Sequence, residues 1–311
     1  MLLREIARNK RRSVIVISLF VLVWAGIGAL LGALFSGRTT SPWAAVAGGI
    51  VVAAGLAALG AVFALASGAR VVLAVSGAQP ADPGQYQQLH NVVDEMSIAA
   101  GLPKPAVYVI DDPSPNAFAT GTSPNRAAIT ATTGLLQTMN REELEGVISH
   151  EMSHIKNYDV RLILVVTTLI GFAALLASLI WRTAFFAGSG DGDGDGNQFA
   201  IFVIAAGIAL TVVAVIVGPL IQLALSRSRE ELADVSGANL TRNPMGLVHA
   251  LEKLEHNDKP FARFNHATAA MCIDDPLQHH EGWWHHLFDT HPPIDQRIAI
   301  LQKIASGGPA A

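Results

Sequence analysis

Residues 140–159 read NREELEGVISHEMSHIKNYD, and this stretch decides what kind of fold the chain can have. Asn140 is a good helix N-cap. Glu143, at the third helical position, can reach back to the cap and complete a capping box. Leu144, Val147, Ile148, Met152 and Ile155 follow at helical spacing, so a helix is predicted from residue 141 towards Asp159. Within it, His150-Glu151-Met152-Ser153-His154 has the form HExxH. Residues four apart share one helix face, so the two imidazoles can converge on one zinc ion at roughly 2.0–2.1 Å each. Glu151, next to His150, can then reach a zinc-bound water as general base without being a ligand.

A catalytic zinc typically takes three protein ligands and leaves one position open. The continuation HExxHxxGxxH fails, because Asn157 and Val160 stand at the glycine and last histidine positions. The third ligand must lie further along the chain.

The surroundings narrow that choice. Only 15% of the chain is charged, against roughly 25% for a soluble domain. The deficit comes from four uncharged runs at 13–35, 43–67, 162–181 and 199–225, each about the 20 residues needed to cross a bilayer or longer. Lysines and arginines flank them asymmetrically. Arg4, Arg8, Lys10, Arg11, Arg12, Arg70, Arg161, Arg227 and Arg229 lie on one side, and only Arg38 and Arg182 on the other. This places the N-terminus, residues 70–161 and residues 226–311 on the cytoplasmic side of the membrane. The expected organisation is an N-terminal transmembrane hairpin (1–70), a cytoplasmic domain (71–161 and 226–311) and a second transmembrane hairpin inserted into it (162–225). A hairpin returns the chain near its point of exit, so Glu230 and Glu231 are the rival third ligands. Asp234, four residues after Glu230, could orient a histidine.

The polar part predicts helices at 83–100, 132–139, 227–240, 244–255 and 293–305. Short strands are expected at 106–110, 116–120 and 127–130. The fold class is α+β, mostly helical with a small sheet, plus four transmembrane helices in two hairpins. One cysteine, Cys272, excludes an internal disulfide and suits a small buried position. No basic stripe with interleaved aromatics points to nucleic acid.

Several motifs in order resemble the HtpX-type membrane metalloproteases, relatives of the CAAX prenyl proteases. They are NAFATG at 116–121, HEMSH followed by NYD, SRSREELAD at 226–234, ATAAMCI at 267–273 and THPPIDQR at 290–297. The resemblance covers nearly the whole chain and implies a zincin-like metalloprotease domain. Its pattern R-E-aromatic-x-A-D puts Glu230 in the ligand position, and Glu231 departs from the usual aromatic. It implies a zinc endopeptidase of the inner (plasma) membrane, acting in quality control on misfolded or damaged membrane proteins. His291 then becomes the candidate stabiliser of the oxyanion, and Arg297 a partner for Asp234. Asn116, Ala117, Phe118 and Ala119 would hold substrate as a strand added to an open sheet edge.

Other signals are weaker. Asp191, Asp193 and Asp195 mimic a calcium loop, but Phe202 stands where its closing glutamate belongs. His279, His280, His285 and His286 flank Trp283 and Trp284, which suits a loop at the membrane interface better than a second metal site. Two other readings compete with the protease: a catalytically silent zinc-binding membrane scaffold, and a metal transporter. No run contains an acidic residue or histidine, which argues against an ion path.

Overall fold

The computed structural model describes residues 2–36, 41–187, 196–212, 218–256, 272–273 and 292–307. The chain divides into two compact units. One comprises residues 1–10, 67–164 and 222–311, and the other residues 11–66 and 165–221.

The first unit holds a four-stranded sheet of order β1-β2-β4-β3. Its strands are β1 (Gln79–Pro80), β2 (Ala106–Ile110), β3 (Ala117–Gly121) and β4 (Ala127–Thr132). β2 and β4 are parallel, and β3 runs antiparallel to β4 on the edge. β1, unexpected from sequence, pairs with β2 for only two residues. Side chains alternate across the pleat. Val107, Val109, Ala117, Ala119, Ile129 and Ala131 join the main core, whereas Ile110, Phe118 and Ala128 form a second cluster with Val72, Leu73, Leu164 and Cys272.

The main core is completed by α3 (Gln87–Ala100), α5 (Arg141–Asn157), α9 (Pro244–Glu255) and α10 (Ile294–Ala305). A short α4 (Thr133–Thr138) starts on Thr132, whose hydroxyl accepts from the Leu135 N–H. α5 begins at the predicted capping box: the Asn140 side chain accepts from the Glu143 N–H, and the Glu143 carboxylate accepts from the Asn140 N–H. Val147, Ile148 and Met152 on α5 are fully buried.

The helix does not run on into the apolar segment behind it. Tyr158 takes a left-handed conformation (φ 61°), and a new helix, α6 (Asp159–Ala187), starts at the next residue. A non-glycine residue there costs roughly 1–2 kcal/mol. The helix expected from residue 141 towards Asp159 ends at Asn157, and α6 begins as a separate helix.

The second unit is built from most of α1 (Leu2–Phe35) and α2 (Pro42–Val75), with α6, α7 (Gly196–Val212) and the start of α8 (Gly218–Thr241). Among the described residues, three helices are long and apolar enough to cross a membrane: Ile6–Ala33, Pro42–Val75 and Asp159–Arg182. Large apolar side chains such as Leu22, Val51, Leu59 and Val62 lie exposed on them, as lipid-facing residues would. α1 and α2 cross in close contact. A Cβ added to Gly28 would stand 2.2 Å from the Gly49 carbonyl oxygen, so only glycine fits; small residues let membrane helices approach in this way. The expected fourth run, 199–225, falls on α7 and α8, with residues 213–217 outside the described chain. Among the described residues it forms no single spanning helix.

Candidate metal centre

α5 turns His150, Glu151 and His154 inward, and all three are buried. α8 lies across this face. The approach is close because Gly237 has no side chain: a Cβ there would meet the His150 backbone nitrogen and the Ser149 Oγ at 3.0 Å. One turn and two turns before Gly237, α8 presents Asp234 and Glu230, both buried, while Glu231 is exposed. A step of one residue rotates a side chain by about 100°, so only one of the two glutamates can face α5.

The three groups meet in a small triangle. His150 Nε2 and His154 Nε2 are 3.1 Å apart. Glu230 Oε2 lies 3.5 Å from His150 Nε2, and Glu230 Oε1 lies 3.5 Å from His154 Nε2. A tetrahedral ion with ligands at roughly 2.0–2.1 Å needs ligand atoms about 3.3–3.4 Å apart. The triangle could hold a metal.

The hydrogen bonds behind the rings fix which nitrogens point inward. His150 Nδ1 sits 2.8 Å from Asp234 Oδ1, and His154 Nδ1 lies 3.3 Å from Asp159 Oδ2. A carboxylate accepts, so each Nδ1 carries a proton and each Nε2 presents a lone pair. Two lone pairs and a carboxylate converging on one buried point repel each other unless a cation lies among them. Burial opposes charge on His150, but the Asp234 and Glu230 carboxylates outweigh it and push its pKa up to about 9. Protons and metal ions therefore compete for the same acceptors. Burial also raises the Glu151 carboxyl above its ordinary range, against the pull of the two histidines.

Arg297 ties the far side together. Its Nε and Nη2 each donate to Asp234 at 2.8 Å, and Nη1 donates to the Ile273 carbonyl at 3.0 Å. Arg297 and Asp234 are both only 1% exposed, so neither charge is screened by water. Burial raises the Asp234 pKa, but Arg297 and His150 overcome this and bring it down to about 2 from 3.8. A carboxylate lowered in this way stabilises the fold above its ordinary pKa, and that stability is lost as pH falls from about 4 to about 2. Arg297→Leu leaves Asp234 buried without its counter-charge, which is expected to cost about 3–5 kcal/mol. Denaturant unfolding of the metal-free protein in detergent should show this loss, together with an acid limb moved to higher pH. Unchanged stability would remove the pair from this role.

Asp159 is the residue that sequence reasoning missed. It follows a helix break that no glycine or proline announces, and its five-residue offset from His154 has no meaning on a continuous helix. The strand expected to hold substrate is only partly open. Asn116 precedes β3, and its side chain accepts from the Ala117 N–H. The Ala117 carbonyl accepts from the Ile273 N–H, and Phe118 pairs with Cys272 in an antiparallel bridge. The described chain thus already covers the edge at Ala117 and Phe118. His291, the calcium-like aspartates at 191–195 and the histidines at 279–286 lie outside the described residues.

A sequence model of Peptidase family M48 matches residues 83–305, which include every member of the triangle. The chain belongs to peptidase family M48. Its M48 relatives include the "Protease HtpX homolog" of Lactobacillus helveticus, 40% identical over 98% of this chain and 100% of that protein. The "Protease HtpX homolog" of Ligilactobacillus salivarius is 42% identical at the same coverage. Among solved structures, a crystal structure of S. mikatae Ste24p matches with a TM-score of 0.47 and 16% identity, covering 95% of this chain and 65% of that one. This M48 protein is a membrane metalloprotease, and proteins are its substrates.

Proposed function

We propose that the protein is a zinc-dependent endopeptidase of the inner membrane that cleaves misfolded or damaged membrane proteins on the cytoplasmic side. The observation that carries the chemistry is the convergence of His150 Nε2, His154 Nε2 and the Glu230 carboxylate, whose facing atoms lie 3.1–3.5 Å apart, a spacing that suits zinc. Nitrogen and carboxylate donors with one position left open favour zinc over calcium or magnesium. The orientation rests on the lysine and arginine asymmetry, and the quality-control role on the likeness to HtpX proteases. Residues 71–161 and 226–311 act as the protease domain in this reading. Residues 1–70 and 162–225 hold it to the bilayer as two hairpins, so that 199–225 completes a fourth crossing.

A zinc ion held by His150, His154 and Glu230 would supply a Lewis acid for the scissile carbonyl and would acidify a bound water. Glu151 takes the proton from the attacking water and delivers it to the leaving amine. Burial suits it to both tasks, because a raised carboxyl holds a proton more readily at working pH. His150 and His154 keep their Nε2 atoms aimed inward through Asp234 and Asp159. Arg297 holds Asp234 ionised. His291 donates to the developing oxyanion. Substrate lies along Asn116–Ala119, which requires the Cys272–Ile273 stretch to leave the Ala117 carbonyl, since one row of edge groups cannot pair with two strands.

Purified protein in detergent should degrade an unfolded substrate such as casein. Chelation should abolish cleavage, and stoichiometric zinc should restore it. Cleavage that persists in metal-free protein would rule out this mechanism, and zinc binding without any cleavage would favour the silent scaffold.

A further inference from the structure

The metal triangle is connected to a residue almost at the N-terminus. Asn9 is 1% exposed, and its Nδ2 donates to Asp159 Oδ1 at 2.6 Å and to the Asn157 carbonyl at 3.0 Å. Asp159 spends its other oxygen, Oδ2, on His154 Nδ1. Asn157 is the last residue of α5, where carbonyls lack partners within their own helix. One amide from a distant part of the chain thus satisfies a helix end and fixes a carboxylate that aims a histidine. The neighbouring residues reinforce this join. Lys10 Nζ stands 4.2 Å over the Tyr158 ring, at the left-handed break between the two contacted residues.

We propose that Asn9 is a positioning residue for the metal centre, acting through Asp159 on His154. The inference rests on the zinc-protease reading above. Asp159 can rotate about its side-chain bonds, and its hydrogen bond to His154 is long at 3.3 Å. A donor on Oδ1 limits that rotation and keeps Oδ2 towards the ring. Without it, Asp159, whose Oδ1 also lies 4.0 Å from Arg229 Nη1, holds His154 Nδ1 less firmly, and Nε2 is less often a free lone pair. Asn9 lies on α1, the helix that continues as the first apolar run.

The test is zinc affinity, measured by competition with a chromophoric chelator on full-length protein in detergent. Partners of metal-bound histidines typically contribute 10–100-fold in affinity, and a residue one step further out is expected to contribute about 10-fold. Asn9→Ala should weaken zinc binding by this factor and lower kcat with little change in KM. Asn9→Asp keeps the shape but replaces the donor with a carboxylate beside Asp159, and should weaken binding at least as much. In an Asp159→Asn background, Asn9→Ala should have little further effect on affinity, because the route is already cut. An unchanged affinity in Asn9→Asp would overturn the inference alone, as would equal, additive losses in both backgrounds. Wild-type protein that takes up no zinc would overturn both this inference and the reading beneath it.

Discussion

Glu151→Gln is expected to lower peptide hydrolysis by about 10³-fold or more while leaving zinc content unchanged. Proton transfer by a positioned side chain is worth about 10²–10⁴-fold, and here the same group serves both the water and the leaving amine. The amide has the same shape as the carboxylate but cannot accept the proton. It is not part of the triangle, so His150, His154 and Glu230 keep their geometry. Steady-state cleavage and metal analysis on one preparation check both halves. In the wild type, the acid limb of the rate should lie above the ordinary carboxylate range, because burial raises the Glu151 pKa and the base works only when deprotonated. Turnover retained in Glu151→Gln would take the base role away from this residue.

Glu230→Ala and Glu231→Ala should behave oppositely. The first removes one corner of a three-cornered cage and leaves two imidazoles, too few for a tight catalytic site. Zinc should be lost on dialysis, with cleavage falling to background. The second truncates an exposed side chain, and such changes usually stay within about 0.5 kcal/mol in stability. Metal content and cleavage should match the wild type. If Glu231→Ala loses zinc and Glu230→Ala keeps it, α8 is rotated by one residue from the arrangement described here.

Sequence reading reached local features well and long-range ones unevenly. The α5 helix was legible because its start carries its own chemistry in Asn140 and Glu143, and its apolar residues fall at one period. β2 matched its expected span, 106–110, because a short β-branched run lies between turn residues. The choice between Glu230 and Glu231 could not be made from spacing. Both follow the apolar run at nearly the same height, and only the rotation of α8 against α5, permitted by Gly237, separates them. Asp159 and Asn9 were illegible for another reason. Their partners are set by a left-handed tyrosine that local pattern does not announce, and by a contact spanning half the chain. The two-residue strand β1 lies below the length at which alternation can be seen.

Two imidazoles come from the chain before α6 and the carboxylate from the chain after α7, so a nascent chain shorter than 230 residues lacks the third donor. A ribosome that has released the HExxH helix has made a pair of histidines with nothing to close them. The third donor emerges only after the intervening apolar segments, and must then be brought back beside the first two. In the proposed reading, the newborn chain gains its metal site only once the apolar segments between the two parts have been made.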